Sequence, residues 1–313
     1  MLLRHDCIIV RWNMVAYKIA GHTMGTPEYT VLEALELFKK IGLDGAEIVV
    51  QDDYRSGLPT ECCEAQLEEV KKKAEELGIR IIALTPYNSK FNSLDEEIRQ
   101  LELDGIRRVI GYAKYLGAEY IRIYAGNYAG NETDPDGKKW EQLIRSMKEL
   151  GVEAEKAGVT LVMENHFNTM TVSARQSMDA AVQIDHPAVG ILYDQANLTF
   201  TLQEDYEEAL GIQADRVRYV HVKDLEFKEG NTAFVSDEVS HPKEEDRNVY
   251  TRIVGEGSLK WPQILQLLHD KGYNGWLSLE YERRWHPDDI PDASIGMKKS
   301  VEYLRETFLS LKK

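Results

Sequence analysis

Residues 140–167 read WEQLIRSMKELGVEAEKAGVTLVMENHF. Trp140, Leu143, Met147, Leu150 and Ala154 recur at three- and four-residue steps, so one apolar helical face runs through the first half. Gly158 ends it, because glycine enters the left-handed conformation without a Cβ penalty. VTLVM follows at once, an apolar run too short for a helix and without the polar alternation of a half-exposed strand. A strand buried on both faces fits it. The run terminates in Glu164, with Asn165 and His166 behind. Helix, glycine, buried strand and polar terminus make one unit.

The unit recurs in both directions. Val31, Leu32, Leu35, Phe38 and Ile41 form a stripe closed by Gly42, ahead of AEIVV. Leu67, Val70, Ala74 and Leu77 lead to Gly78 and IRIIAL. Ser93 with Glu96 resembles a capping box for a helix that runs to Gly117, ahead of AEYIRIY. Ile264, Leu265 and Leu268 lead to Gly272 and WLSL. VAYKIA precedes the first helix, and VGILY and VRYVHV fill the interval before Gly272. The glycines recur at roughly 40-residue intervals, a period that by itself also allows a solenoid. Eight strand candidates, each followed by a helix candidate, favour a single closed (β/α)8 TIM barrel. No linker rich in Pro, Gly or Ser divides the chain. Residues 14–313 therefore read as one domain, behind an N-terminal extension of residues 1–13. One segment departs from the rhythm. Residues 225–257, after the seventh strand, form a long charged loop that should overhang the active face.

The chain has 313 residues, and 53 Asp and Glu against 38 Lys and Arg give a net charge of −15. That balance argues against a nucleic-acid surface, which needs a basic stripe. A hydrophobic content of 43% excludes a wholly disordered chain. No run approaches the roughly 18 apolar residues of a membrane helix. Arg4, His5, Asp6 and Arg11 interrupt any signal-peptide apolar region. Cys7, Cys62 and Cys63 cannot build a disulfide framework, which points to a reducing cytoplasm. The expected partner is a small carbohydrate, with no nucleic acid and no membrane; a homo-oligomer is allowed.

In such a barrel the catalytic groups stand at the C-terminal ends of the strands. The fifth strand ends in Glu164, the sixth in Asp194, the seventh in His221 and the eighth in Glu280. Each emerges from an apolar run, where an unpartnered charge is costly. One divalent cation would satisfy all four. Three carboxylates and an imidazole, with no thiolate, suit Mn²⁺, Mg²⁺, Co²⁺ or Zn²⁺. Such an ion, holding a carbonyl and a neighbouring hydroxyl, stabilises an enediolate as it forms. Glu164 and Glu280 could then remove and return a proton. Return to the opposite face of the same carbon is epimerisation, and return to the neighbouring carbon is isomerisation. Loss of a β-hydroxyl is dehydration.

The chain from Met14 onward resembles the xylose-isomerase-like TIM-barrel superfamily of sugar phosphate isomerases and epimerases. The matching pieces are GLDGAEIV with Glu47, ENH with Glu164, HPAVGILYD ending in Asp194, HVKD with His221, GEGSLKW, and GYNGWLSLEYE with Glu280. The resemblance implies one divalent metal on Glu164, Asp194, His221 and Glu280, with the two glutamates flanking the reacting carbon. The activity expected is a metal-dependent isomerase or epimerase of a small sugar or sugar derivative. The alternatives are a lyase of the inosose or dehydroshikimate dehydratase type and a non-catalytic sugar-binding barrel. Apurinic-site endonucleases and ketose 3-epimerases of this superfamily carry a histidine where this chain has Asn197.

Further substrate-contact candidates are His166 and Lys223, which share a strand side with Glu164 and His221. Lys223 could instead pair with Asp224. His22, Tyr87 and Tyr124 follow the first, third and fourth strands and could line the cavity. Glu47, in the second strand, could line the pocket or anchor the barrel interior. Arg283, with Arg284, could bind a carboxylate or phosphate, or lie on the surface. The glycines at 255 and 257 precede a helix, where N–H groups can face an anion, but they read mainly as a turn.

Overall fold

The computed structural model describes residues 17–128, 132–228 and 247–311. The proposed extension, residues 1–13, lies outside them, as does the middle of the segment that follows the seventh barrel strand. Eight parallel strands close into a barrel: β1 (Lys18–His22), β2 (Gly45–Val50), β4 (Arg80–Pro86), β5 (Tyr120–Tyr124), β6 (Thr160–Glu164), β7 (Val189–Asp194), β8 (Val217–Val222) and β11 (Trp276–Leu279). Each pairs with its neighbour in that order, and β1 pairs with both β2 and β11, which removes the sheet edges. β3 (Gly57–Leu58) adds a two-residue strand beside β2. This is the (β/α)8 TIM barrel that the repeated unit predicts.

Period-two alternation sorts the strand residues into two layers. Leu161 and Met163 of β6, Ile191 and Tyr193 of β7, and Val220 and Val222 of β8 join the large core under the helices. The intervening residues face the barrel axis. Ala20, Ile82, Val162, Leu192, Tyr219 and Trp276 pack together there, with Tyr120 against them. Two residues further along β6, β7 and β8 the same parity delivers Glu164, Asp194 and His221. The polar site therefore stands on an apolar floor.

The helices follow the expected stripes. α1 (Val31–Lys40) and α2 (Glu64–Leu77) follow β1 and β3, α5 (Ala174–Ile184) follows β6, and α8 (Trp261–Asp270) and α9 (Ala293–Ser310) flank β11. α4 (Lys138–Ala157) buries Leu143, Met147, Leu150 and Ala154 and ends at Gly158, with φ 73°. A Cβ at Gly158 would meet nothing within 4 Å, so the requirement there is backbone conformation rather than space. α3 (Glu96–Leu116) starts differently from the expectation. Its N-cap is Asp95, whose carboxylate accepts from the Glu97 and Ile98 N–H groups, while Ser93 accepts from the Asp95 N–H. Asp and Ser cap about equally well, and spacing alone does not rank them. The helix after β7 is split into α6 (Gln195–Leu202) and α7 (Tyr206–Gln213). The segment after β8 is not wholly loop. Its described ends pair as an antiparallel ribbon, β9 (Asp224–Phe227) with β10 (Val249–Arg252).

Candidate active site

One ligand atom from each of Glu164, Asp194, His221 and Glu280 lies within 4.8 Å of all the others. All four side chains are buried. β6, β7, β8 and β11 are consecutive around the barrel, so the two glutamates bracket the aspartate and the histidine.

His221 is oriented from below. Its Nε2 lies 3.2 and 3.1 Å from the two carboxylate oxygens of Glu47, so Nε2 carries the donated hydrogen. Glu47 stands where the β2–β4 register shifts, with Ile82 as the extra residue on β4, a device that re-aims side chains. It also accepts from the Tyr219 hydroxyl at 2.9 Å and from Thr85 Oγ1. Burial raises its carboxyl pKa, but the imidazoles of His221 and His22 and these hydrogen bonds outweigh that and hold it ionised. His22, Glu47 and His221 form a second close group of ligand-type atoms. There, however, His22 Nδ1 accepts from the Met24 N–H at 3.0 Å. Its Nε2 then carries a hydrogen toward Glu47, 3.4 Å away. Donated hydrogens already fill that group, and it supports the upper one.

The other ring nitrogen, His221 Nδ1, is buried without a hydrogen bond among the described residues. It faces Glu164 Oε1 at 3.6 Å and Glu280 Oε2 at 3.4 Å. Burial lowers the His221 pKa, but Glu47 and Glu280 raise it further, so without an ion the ring is protonated and only a proton stands between Nδ1 and the two carboxylates; a divalent cation can take that proton's place. A carboxylate that fixes the far nitrogen of a ligating histidine is the usual support of such a centre. The four residues fit a divalent ion on this chemistry.

Each acid has its own partners. Glu164 Oε2 lies 2.8 Å from Arg122 Nε, and Asn197 Nδ2 donates to its Oε1 at 3.1 Å. Burial pushes the Glu164 carboxyl upward, but the Arg122 charge prevails and holds it ionised. The Arg122 guanidinium lies 3.7 Å over the Tyr124 ring and 5.2 Å from that of Tyr87. Lys223 Nζ lies 2.8 Å from Glu280 Oε2, 3.1 Å from Asp194 Oδ2 and 3.3 Å from Glu282 Oε1. Burial opposes ionisation of Glu280 too, and Lys223 and His221 overcome it. Asp194 goes the other way, because burial raises its pKa more than Lys223 lowers it. Its Oδ1 also caps α6 through the Asn197 N–H at 2.9 Å.

The remaining candidates divide. His166 stacks on Phe167 and lies 4.8 Å from the Tyr124 ring, beside Glu164. Tyr87 and Tyr124 flank Arg122. Glu47 and His22 sit below the four-residue cluster. Lys223 does not pair with Asp224; successive strand residues point to opposite sides. Arg283 is bound to Glu28 at 2.8 Å and to the carbonyls of Pro287 and Ile290. Arg122 and Glu282 are contributors that the sequence reading does not single out. A lone arginine of inward parity inside YIRIY is the available signal for the first. Asn197 stands out in the sequence only as a departure, yet it holds Glu164.

Among solved structures, the fold is similar to a 3-keto-D-glucoside 4-epimerase from E. coli, with TM-score 0.70, 19% identity, and 93% of this chain and 100% of that one covered. It is also similar to a xylose isomerase-like TIM barrel protein from Mycobacterium smegmatis in complex with magnesium, with TM-score 0.73, 17% identity, and 94% and 97% covered. Among curated proteins, the chain is 29% identical over 162 residues to an inosose dehydratase from Clostridium perfringens, covering 51% of this chain and 52% of that protein. An inosose dehydratase from Geobacillus thermodenitrificans is 26% identical over 170 residues, covering 54% and 55%. The chain thus spans about half the length of the curated relatives it matches. The family model described as xylose isomerase-like TIM barrel matches residues 35–307, nearly the whole described barrel, and the chain belongs to that family.

Proposed function

We propose that the protein is a divalent-metal-dependent isomerase or epimerase of a small sugar or sugar derivative, moving a proton at a carbon beside a carbonyl. The observation that carries this reading is the bracketing of His221 Nδ1 by two separately supported glutamates. Glu164, Asp194, His221 and Glu280 would hold one ion, which when bound supplies a Lewis acid to a carbonyl and its neighbouring hydroxyl. Glu164 is kept ionised by Arg122 and aimed by Asn197, as a proton acceptor requires. Glu280 faces the other end of the transfer; ionised at rest by Lys223 and His221, it takes up a proton from solvent before it returns one, and it is the acceptor in the reverse direction. His166, Tyr87 and Tyr124 would contact the substrate. Free Cys62 and Cys63 fit a cytoplasmic location.

Dehydration is the second reading, and the likeness to inosose dehydratases favours it. The first proton transfer is common to both. Incubation of keto-sugars and inososes in D₂O, with NMR and mass detection, separates them. Deuterium incorporation at constant composition supports isomerase or epimerase chemistry; loss of water supports the lyase. Failure of a broad panel to exchange any C–H would count against both.

A further inference from the structure

In (β/α)8 barrels, phosphate groups are frequently held by the loops after the last two strands, on backbone N–H groups. Here that position is filled from within the chain. Asp224 lies two residues past the end of β8, and its carboxylate accepts from four backbone N–H groups. Oδ1 takes those of Leu225 at 2.9 Å and Leu259 at 3.1 Å. Oδ2 takes those of Gly255 at 3.0 Å and Gly257 at 3.3 Å. The aspartate is buried. A Cβ at Gly257 would stand 2.2 Å from Asp224 Oδ1, so the loop is closed tightly on its own anion.

Among the described residues, most cations near the site are committed as well. Lys223 serves Asp194, Glu280 and Glu282. Arg122 serves Glu164 and donates to the Pro86 carbonyl at 3.3 Å. Arg283 serves Glu28 and two carbonyls. Arg284 has no carboxylate partner among the described residues, but it is stacked on Tyr54 at 4.1 Å and Trp285 at 4.4 Å and donates to Gln51 at 2.9 Å. A phosphate would bring further negative charge to a centre already crowded with carboxylates. Among the described residues, neutral hydrogen-bonding capacity also remains open beside these charged groups. Asn197 Oδ1 is buried without a partner among the described residues, and the Tyr87 hydroxyl reaches only Met24 Sδ among them, at 3.7 Å.

Building on the proton-transfer reading, we infer that the substrate is an uncharged polyhydroxy carbonyl compound, a keto-sugar or inosose without a phosphate group, and that the site rejects phosphate esters. The test uses the full-length chain loaded with Mg²⁺. Fructose and tagatose, each matched with its 6-phosphate, and an inosose are incubated in D₂O, and C–H exchange is followed by proton NMR. The free compounds should exceed the esters at least about tenfold in kcat/KM, as expected where a charged group finds no partner. An ester preferred by that margin overturns the inference, and loss of that preference in Arg284→Gln would place the phosphate on Arg284. If no compound exchanges, the proton-transfer reading fails, and a second arm still decides the charge preference. Inorganic phosphate is titrated calorimetrically into the same loaded chain. Binding weaker than about 1 mM supports the inference, and tighter binding overturns it.

Discussion

Replacing Glu47 by Gln changes one charge in the barrel while keeping the shape of the side chain. In the structure one Glu47 oxygen faces His221 Nε2, His22 Nε2 and Thr85 Oγ1, and the other faces Tyr219 and His221. A glutamine can keep its oxygen on the first side and turn its amide to Tyr219, whose hydroxyl can rotate from donor to acceptor. The fold should therefore survive. What is lost is the negative charge behind His221, which fixes the ring with Nδ1 toward the other three ligands and makes it a better donor. Such supporting carboxylates are worth about 10- to 100-fold in metal affinity, or about 1.4–2.8 kcal/mol. Glu47→Gln should lower Mg²⁺ or Mn²⁺ affinity by that factor in a calorimetric titration, with an unchanged circular dichroism spectrum. Tyr219→Phe, which removes only one of the hydrogen bonds to Glu47, should cost less than tenfold. If folded Glu47→Gln binds the ion as tightly as the parent, Glu47 merely fills the barrel and the argument for His221 is refuted.

Glu164→Gln and Glu280→Gln should each reduce turnover by about 10²-fold or more in a chain that still folds by circular dichroism, since glutamine keeps the volume and loses the base. Full activity in either variant would eliminate the two-carboxylate mechanism. Metal-replete protein should carry about one divalent ion per chain, and chelation should lower the melting temperature; free ion at 100 times its Kd stabilises a folded site by about 2.7 kcal/mol, so unchanged melting after removal would argue against the centre. Away from the site, Arg247 Nη1 donates to Asp289 Oδ1 at 2.9 Å, and the Thr251 N–H donates to Oδ2 at 2.9 Å. Burial raises the Asp289 pKa, but these partners lower it further, so the net shift is downward. A depressed carboxyl pKa stabilises the fold above the unfolded value, about 3.9, and that stability is lost as pH falls through the folded value. Asp289→Asn should therefore melt below the parent at pH 7, with the gap closing below about pH 4; a gap independent of pH would contradict the ion pair.

The barrel is legible in the sequence because its two periods are local. A helical stripe, a glycine and an apolar run can each be read within a dozen residues, and together they repeat. Glu164, Asp194 and His221 are legible because each comes two positions after an inward apolar residue, Val162, Leu192 and Tyr219. Arg122 obeys the same parity after Tyr120, but a single cation inside a strand does not reveal whether it serves a carboxylate, a substrate or a carbonyl. Its partner, Glu164, arrives from the neighbouring strand through the register Tyr124 to Glu164, which no local pattern encodes. The β9–β10 ribbon is hidden for a related reason. Its two four-residue strands are far apart in the chain, and no short turn signal joins them.

Lys223 and Asp224 show how far parity alone can be pushed. Adjacent opposite charges invite a local ion pair, yet strand geometry sends neighbours to opposite sides. Lys223 turns inward to Asp194 and Glu280, and Asp224 turns away to the amides of the loop beyond it. One dipeptide thus contributes a cation to the centre and an internal anion to the nearby loop. Under the proposed chemistry the strand ends would fix where a proton is taken from a substrate, since closure of the barrel sets their spacing. The loops would then decide which substrate reaches them and whether the first transfer leads to reprotonation or to loss of a hydroxyl. On that reading the barrel fold shared with an epimerase and the partial sequence likeness to inosose dehydratases need not conflict, and the deciding residues would lie in the loops rather than among the four candidate ligands.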